Sequence, residues 1–287
     1  MPLLTPQKPY PDPEPALDLS VTTWNINSVR LRLPLVLDFL AREKPDVLCL
    51  QETKCPDDKF PGSAFDKAGY SHKAFIGQKG YNGVAILSRL PILSRNAMEM
   101  CERQDARHIS VTLGAEAKAA SGLTIHNFYV PAGGDEPDPG INPKFAHKLD
   151  FLTHLGRWGD ADKPSSKPSI LVGDLNIAPL EHDVWSHKQL LNVVSHTPIE
   201  TQWLERLRAE MSWIDAARQL TPDTEKLYSW WSYRALDWEI SNRGRRLDHI
   251  WLSPDLGPTL KSVDFFKEAR GWERPSDHVP VTVRLTL

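Results

Sequence analysis

Short apolar runs that stop at a carboxylate or an amide set the terms for this chain. The clearest is Ser169-Ile170-Leu171-Val172-Gly173-Asp174-Leu175-Asn176-Ile177-Ala178-Pro179. It opens as a buried strand and then delivers Asp174 and Asn176 two residues apart. Residues i and i+2 of an extended chain lie on one face, so the spacing predicts that these side chains point at one place. Gly173 lets another group approach the backbone, and Pro179 ends the pairing. A carboxylate that only accepts, beside an amide that accepts and donates, suits a site that holds a hard metal ion and steers a water. Asp-x-Asn alone is also an ordinary turn, so the rest of the chain has to decide.

Similar runs recur over residues 19–24, 47–50, 84–87, 108–113, 123–130, 245–252 and 281–287. Several end in, or start from, a polar side chain that a core strand does not need: Asn25, Glu52, Asp248, Asp277 and His278. The Gly/Ala-rich connection over 114–122 suits a hairpin. Between the strands, Leu33, Val36, Leu37 and Leu40 follow helical spacing until Lys44-Pro45 stops them. Phe145, Leu149, Leu152 and Leu155 do the same after Asn142-Pro143. Trp203, Leu204, Leu207 and Met211 give a third helix, and Trp213-Ile214-Asp215-Ala216-Ala217 reads as a fourth, short one. Strand-end polar groups gathered at one sheet edge make a natural site.

Prolines at 2, 6, 9, 11, 13 and 15 make residues 1–18 an extended or disordered tail. Residues 19–287 then form a single domain. The three cysteines, Cys49, Cys55 and Cys101, have neither a disulfide pattern nor zinc-ligand spacing, which points to a reducing, cytoplasmic setting. No secretory signal or membrane-spanning run is visible. The formal net charge of −3 gives no global basic field. A nucleic-acid partner would need a local basic face.

Six blocks carry a resemblance: Trp24-Asn25-Ile26-Asn27-Ser28-Val29-Arg30, Gln51-Glu52-Thr53-Lys54, Asn127-Phe128-Tyr129-Val130-Pro131-Ala132-Gly133, Gly173-Asp174-Leu175-Asn176-Ile177-Ala178-Pro179, Arg246-Leu247-Asp248 and Pro275-Ser276-Asp277-His278-Val279-Pro280. Together they resemble the exonuclease III family of abasic-site endonucleases, within the endonuclease/exonuclease/phosphatase superfamily. Tyr228-Ser229-Trp230-Trp231-Ser232-Tyr233-Arg234 favours its DNA-repair branch. The resemblance implies an α/β (α+β) four-layer sandwich, with two mainly antiparallel sheets face to face and helices outside. It also implies Mg²⁺-dependent hydrolysis (Mn²⁺ substituting) of duplex DNA 5′ to abasic sites and at 3′ ends, by a monomer in the bacterial cytoplasm.

Carried onto this chain, the resemblance makes Glu52 the direct metal ligand, with Asn25, Asp174, Asn176, Asp277 and His278 in or around the metal set. Asp174 becomes the general base, Asn176 orients the water, and Asp248 pairs with His278; an assignment of His278 as the base stays open. Tyr129 would donate to the phosphate or, with a lowered pKa, protect the leaving oxygen. Arg30, Lys54, Lys79, Tyr81, Asn82, Lys144, Arg234, Arg243 and Arg245 would contact DNA, with Trp230 and Leu247 walling a pocket for a flipped-out sugar. Arg245 stands where some relatives place an aromatic residue, and Ser28 where a glycine is common. The alternatives are another phosphodiesterase of the superfamily, acting on a nucleotide, an RNA tail or a lipid headgroup, and a non-catalytic DNA-binding relative.

Overall fold

The computed structural model describes residues 17–101, 103–161, 163–235 and 237–287. Of the expected tail, residues 1–16 lie outside these. Its last two residues belong to the fold: Leu17 exchanges backbone hydrogen bonds with Leu287, and Asp18 opens the first strand.

Among the described residues the strands are β1 (Asp18–Asn25), β2 (Val47–Gln51), β3 (His72–Gln78), β4 (Tyr81–Ser88), β5 (Ile92–Asn96), β6 (His108–Leu113), β7 (Thr124–Tyr129), β8 (Ser169–Asp174), β9 (Ile214–Asp215), β10 (Trp230–Trp231), β11 (Gly244–Arg245), β12 (Asp248–Leu252), β13 (Leu260–Phe265) and β14 (Val281–Thr286). The helices are α1 (Leu33–Glu43), α2 (Gly62–Lys67), α3 (Pro143–Ala161), α4 (His187–Leu190), α5 (Pro198–Glu210), α6 (Ala216–Leu220) and α7 (Trp238–Ser241). One six-stranded sheet has the order β13-β14-β1-β2-β4-β3, the other β5-β6-β7-β8-β12-β9. Each contains one parallel pair, β1–β2 or β7–β8, and is otherwise antiparallel.

Side-chain alternation builds the four layers. Along β2, Val47 and Cys49 join the core between the sheets, while Leu48 and Leu50 pack outward with Val36, Phe39 and Leu40 of α1. Along β8, Ile170 and Val172 face the first sheet; Leu171 turns outward to Phe151, Leu152 and Leu155 of α3 and Leu204 and Leu207 of α5. Because both faces of each sheet are covered, the strands read as continuous apolar runs rather than alternating ones. Gly173 has φ 146°, and a Cβ there would stand 1.9 Å from the Phe128 carbonyl oxygen. Only glycine allows β7 and β8 to meet there.

The fourth helix differs from the sequence reading. Ile214 and Asp215 pair with Leu252 and Trp251 as β9, and helix α6 begins only at Ala216. The Asp215 side chain caps that helix, accepting from the Ala217 and Arg218 N–H groups. A stretch as short as Ile214-Asp215 suits either element; the open edge of β12 decides it.

The topology also places the site. Parallel β1 and β2 end at the same edge, with Asn25 closing β1 and Glu52 following β2. Tyr129 and Asp174 close β7 and β8 in the same way. Strand β12 runs antiparallel to β8 and starts with Asp248 directly opposite Asp174. The Ser276–His278 segment is fixed beside β1, where Ser276 Oγ donates to the Asn25 carbonyl and Trp24 Nε1 to that of His278.

Candidate active site

Two tight turns shape the ends of the site strands. The Asn176 N–H donates to Asp174 Oδ1 (2.9 Å), and the Asn27 N–H donates to Asn25 Oδ1 (3.0 Å). Asp174 and Asn176 therefore do not meet as neighbours on one strand face. Strand β8 ends at Asp174, and Asn176 has φ 54°, in the left-handed region that asparagine tolerates. Glu52 has φ 49°, an unusual backbone for a glutamate and of a kind that clusters at functional sites. Its carbonyl is held by the Ser28 N–H at 2.7 Å.

The carboxylates converge on Asn25. Its Nδ2 donates to Glu52 Oε1 (2.9 Å) and to Asp174 Oδ2 (2.8 Å). Tyr129 Oη also donates to Glu52 Oε1 (2.8 Å). Asn176 Nδ2 donates to Asp174 Oδ2 (3.1 Å) and the Val130 carbonyl (2.8 Å). His278 lies between two acids, with Nδ1 2.8 Å from Asp248 Oδ2 and Nε2 3.6 Å from Asp174 Oδ2. Ser229 Oγ donates to the same Asp248 oxygen at 2.6 Å.

Burial and charge set the protonation states. Burial pushes Asp174 up; the His278 cation and the Asn25 amide oppose this, while Asp248 and Glu52 reinforce it, and the net direction is upward. Burial alone would lower His278, but Asp248 and then Asp174 hold it well above the usual imidazole value. Burial raises Glu52, yet the Lys54 ammonium and the Asn25, Lys54 and Tyr129 hydrogen bonds bring it below its ordinary value. Burial, then Glu52 and Asp174, push the Tyr129 phenol well up. With the site in this state Tyr129 is a neutral donor to Glu52, the opposite direction from the lowered pKa that one of its two expected roles needs.

A hard divalent cation fits this donor set. Two carboxylates already share one amide donor, and Lys54 Nζ lies 2.8 Å from Glu52 Oε2, a positive charge where a metal would bind. Asp174, Asp248 and His278 also bring ligand-type atoms within 4.8 Å of one another. Asp277 is not in that trio but lines the cavity beside His278, and takes hydrogen bonds from Trp230 Nε1 (3.0 Å) and Asn27 Nδ2 (3.4 Å).

The site opens into a cavity of about 660 Å³ whose lining includes Glu52, Asn176 and His278, with Trp230, Arg245 and Leu247 on its walls. Arg234 and Arg243 line it too. Arg30, Lys79, Tyr81 and Lys144 are exposed, whereas Asn82 is 1% exposed and turns inside the β3–β4 hairpin. Its side chain donates to Gln78 rather than presenting itself to a partner.

Several supporting residues have no role assigned from the sequence, although Gln51 and Asn127 lie in the blocks that carry the resemblance. Gln51 Nε2 donates to Asn127 Oδ1 (2.7 Å), and Asn127 Nδ2 donates to the Leu50 and Ala85 carbonyls, tying the two sheets together beneath the site. Lys148 is fully buried on α3; its Nζ donates to the Asn176 carbonyl (2.7 Å) and pairs with Glu200 at 2.5 Å. A buried ammonium has to be paired, and this one holds the Asn176 turn from behind. Arg107 lies 4.8 Å over the Tyr129 ring and donates to Tyr81 Oη at 3.1 Å. Hydrophobic periodicity does not register such residues.

Carboxylates, amides and a charged imidazole at the joined edge of two face-packed sheets define an enzyme site, that of a hydrolase. The profile of the endonuclease/exonuclease/phosphatase family matches residues 22–278, and the chain belongs to that family. It is 31% identical over 266 residues to exodeoxyribonuclease III of Haemophilus influenzae, across 90% of this chain and 97% of that protein. Among solved structures it resembles the 3′ phosphatase NExo from Neisseria bound to a product DNA hairpin (TM-score 0.83, 34% identity, 93% of this chain and 99% of that one). It also resembles an AP endonuclease from Archaeoglobus fulgidus (TM-score 0.84, 30% identity, 93% and 99%). The two sheets and outer helices match the sandwich of these neighbours.

Proposed function

We propose that this enzyme is a Mg²⁺-dependent DNA-repair nuclease that hydrolyses the phosphodiester 5′ to an abasic site and removes nucleotides or blocking groups from 3′ ends. The relatives named exodeoxyribonuclease III, 3′ phosphatase and AP endonuclease support the DNA-repair reading. The observation that carries the chemistry is the position of Asp174, between the Asn25 and Asn176 amides on one side and the His278 imidazole on the other.

Glu52 would hold the ion, with Asp174 and Asn25 beside it. Bound there, Mg²⁺ supplies charge stabilisation to phosphoryl oxygens. Asp174 takes the proton of the attacking water, since a carboxyl raised toward neutrality is the better base. Both Asn176 amide hydrogens are engaged, which leaves its Oδ1 to accept from that water and aim it. His278, a cation between Asp248 and Asp174, is suited to stabilising developing negative charge and unsuited to accepting a proton. Tyr129, kept neutral, donates to Glu52 or to a phosphate oxygen. Arg30, Lys54, Lys79, Lys144, Arg234 and Arg243 would meet the duplex backbone without reading sequence.

The test is a labelled duplex with one abasic site, incubated with Mg²⁺ or with EDTA. A single nick 5′ to the lesion, leaving a 3′ hydroxyl and absent in EDTA, is the expected result. Intact DNA, with activity on a nucleotide or lipid phosphoester, contradicts the reading.

A further inference from the structure

The cavity wall carries a cation that has no acidic hydrogen-bond partner among the described residues. Arg245 lines the same cavity as Glu52, Asn176 and His278. Its guanidinium lies 5.3 Å over the Trp230 ring. Its Nη1 donates to the Val194 carbonyl (3.0 Å) and Ser195 Oγ (2.7 Å), both neutral, and its Nε is buried with no partner among the described residues. The acid that acts on it electrostatically, Glu200, is already paired with Lys148. Arg243 lines the same cavity, stacked 4.7 Å over Trp185. A half-buried cation held only by neutral groups is unfavourable until an anion enters.

A diester phosphate carries one negative charge. A phosphate monoester at a 3′ end carries nearly two at neutral pH. Its extra charged oxygen stands where a diester continues into the next sugar, on the side of the phosphorus away from the terminal nucleotide.

We infer that Arg245 makes this site selective for a 3′-terminal phosphate monoester, binding the second charged oxygen that a diester lacks. The inference rests on the nuclease reading above and names its preferred end group. In the reaction, the water oxygen bonds to phosphorus and the bond from phosphorus to the 3′ oxygen breaks. One water proton ends on that 3′ oxygen, giving a hydroxyl end and inorganic phosphate.

The test is equilibrium binding, in EDTA so that nothing turns over, of two duplexes that differ only in a 3′-phosphate or 3′-hydroxyl end. The wild type should favour the phosphate end about tenfold, the scale of a charged hydrogen-bonded pair. Arg245→Met should abolish the preference and Arg245→Lys should keep part of it. With Mg²⁺, Arg245→Met should lower the ratio of 3′-phosphate removal to abasic-site incision about tenfold. Equal binding of both ends by the wild type, which requires no variant, overturns the inference. So does a preference that survives in Arg245→Met, or a proportional fall in both activities. Discrimination in EDTA without cleavage of either DNA would remove the nuclease reading and leave this one standing. Cleavage without discrimination would do the reverse.

Discussion

Glu52 and Asp174 share one hydrogen-bond donor, the amide nitrogen of Asn25, at 2.9 and 2.8 Å. Glu52 follows a strand of one sheet and Asp174 ends a strand of the other. The shared donor therefore sets the spacing between the two halves of the sandwich at the reacting edge. Its two N–H groups also offset the repulsion between the two acids.

Asn25→Ala removes that donor from both acids at once. The expected result is a fall in kcat of about tenfold to a hundredfold, with KM for duplex DNA nearly unchanged, because the loss is felt in positioning rather than in DNA contact. Two acceptors left short of a donor should also lower stability by about 1–3 kcal/mol. Steady-state kinetics and a thermal melt check both.

Asp248→Asn removes the carboxylate that raises His278 most, ahead of Asp174 and Asp277. The imidazolium is then less favoured, so its pKa falls. If catalysis needs the cation, the alkaline limb of the kcat/KM profile must move to lower pH. An unmoved limb would show that His278 charge does not control the rate.

Asp183 anchors the loop that leads into the pocket wall. Arg246 grips it with two hydrogen bonds, at 2.8 and 2.9 Å, and Arg218 adds a third at 2.6 Å. Burial pushes the Asp183 carboxyl up, but the two arginines more than reverse this and hold it below its ordinary value. Its contribution to stability is therefore present above the unfolded carboxylate pKa, about 4, and lost as pH falls through the lower folded value. Asp183→Asn should cost about 3 kcal/mol at pH 7, because it removes the buried carboxylate that Arg246 and Arg218 share and leaves Arg246 with Asp215 as its remaining acid. The gap between the two proteins should narrow only below about pH 4, which thermal melts at pH 7, 4 and 3 would show.

Much of the sandwich was legible because buried strands leave short apolar runs and their ends leave polar residues. Asn25, Glu52, Tyr129, Asp174, Asn176, Asp248 and His278 were read as strand-end groups or by resemblance, and the structure brings them to one edge. The i, i+2 spacing of Asp174 and Asn176 predicts a shared strand face, whereas the structure brings them together by a left-handed turn at Asn176. Period-2 reasoning has no term for such a turn. Asn82 belongs by sequence to the residues flanking the site that would contact DNA, whereas its side chain is 1% exposed inside the β3–β4 hairpin. Lys148 and Glu200 were illegible for a different reason: they are paired across distant segments, and the sequence of neither segment records its partner. Asp18 lay hidden behind the prolines, though its backbone completes the edge where β1 meets β14.

The central claim is that Asp174 takes the proton from the attacking water while the rest of the site binds DNA and charge. Single-turnover incision of an abasic-site duplex by wild type and Asp174→Asn, at saturating enzyme and with duplex affinity measured in parallel, tests it most directly. The account predicts that Asp174→Asn binds the duplex within about threefold of wild type and cuts it about 10²–10⁴ times more slowly, the range for loss of a general base. Incision by Asp174→Asn at close to the wild-type rate would contradict it.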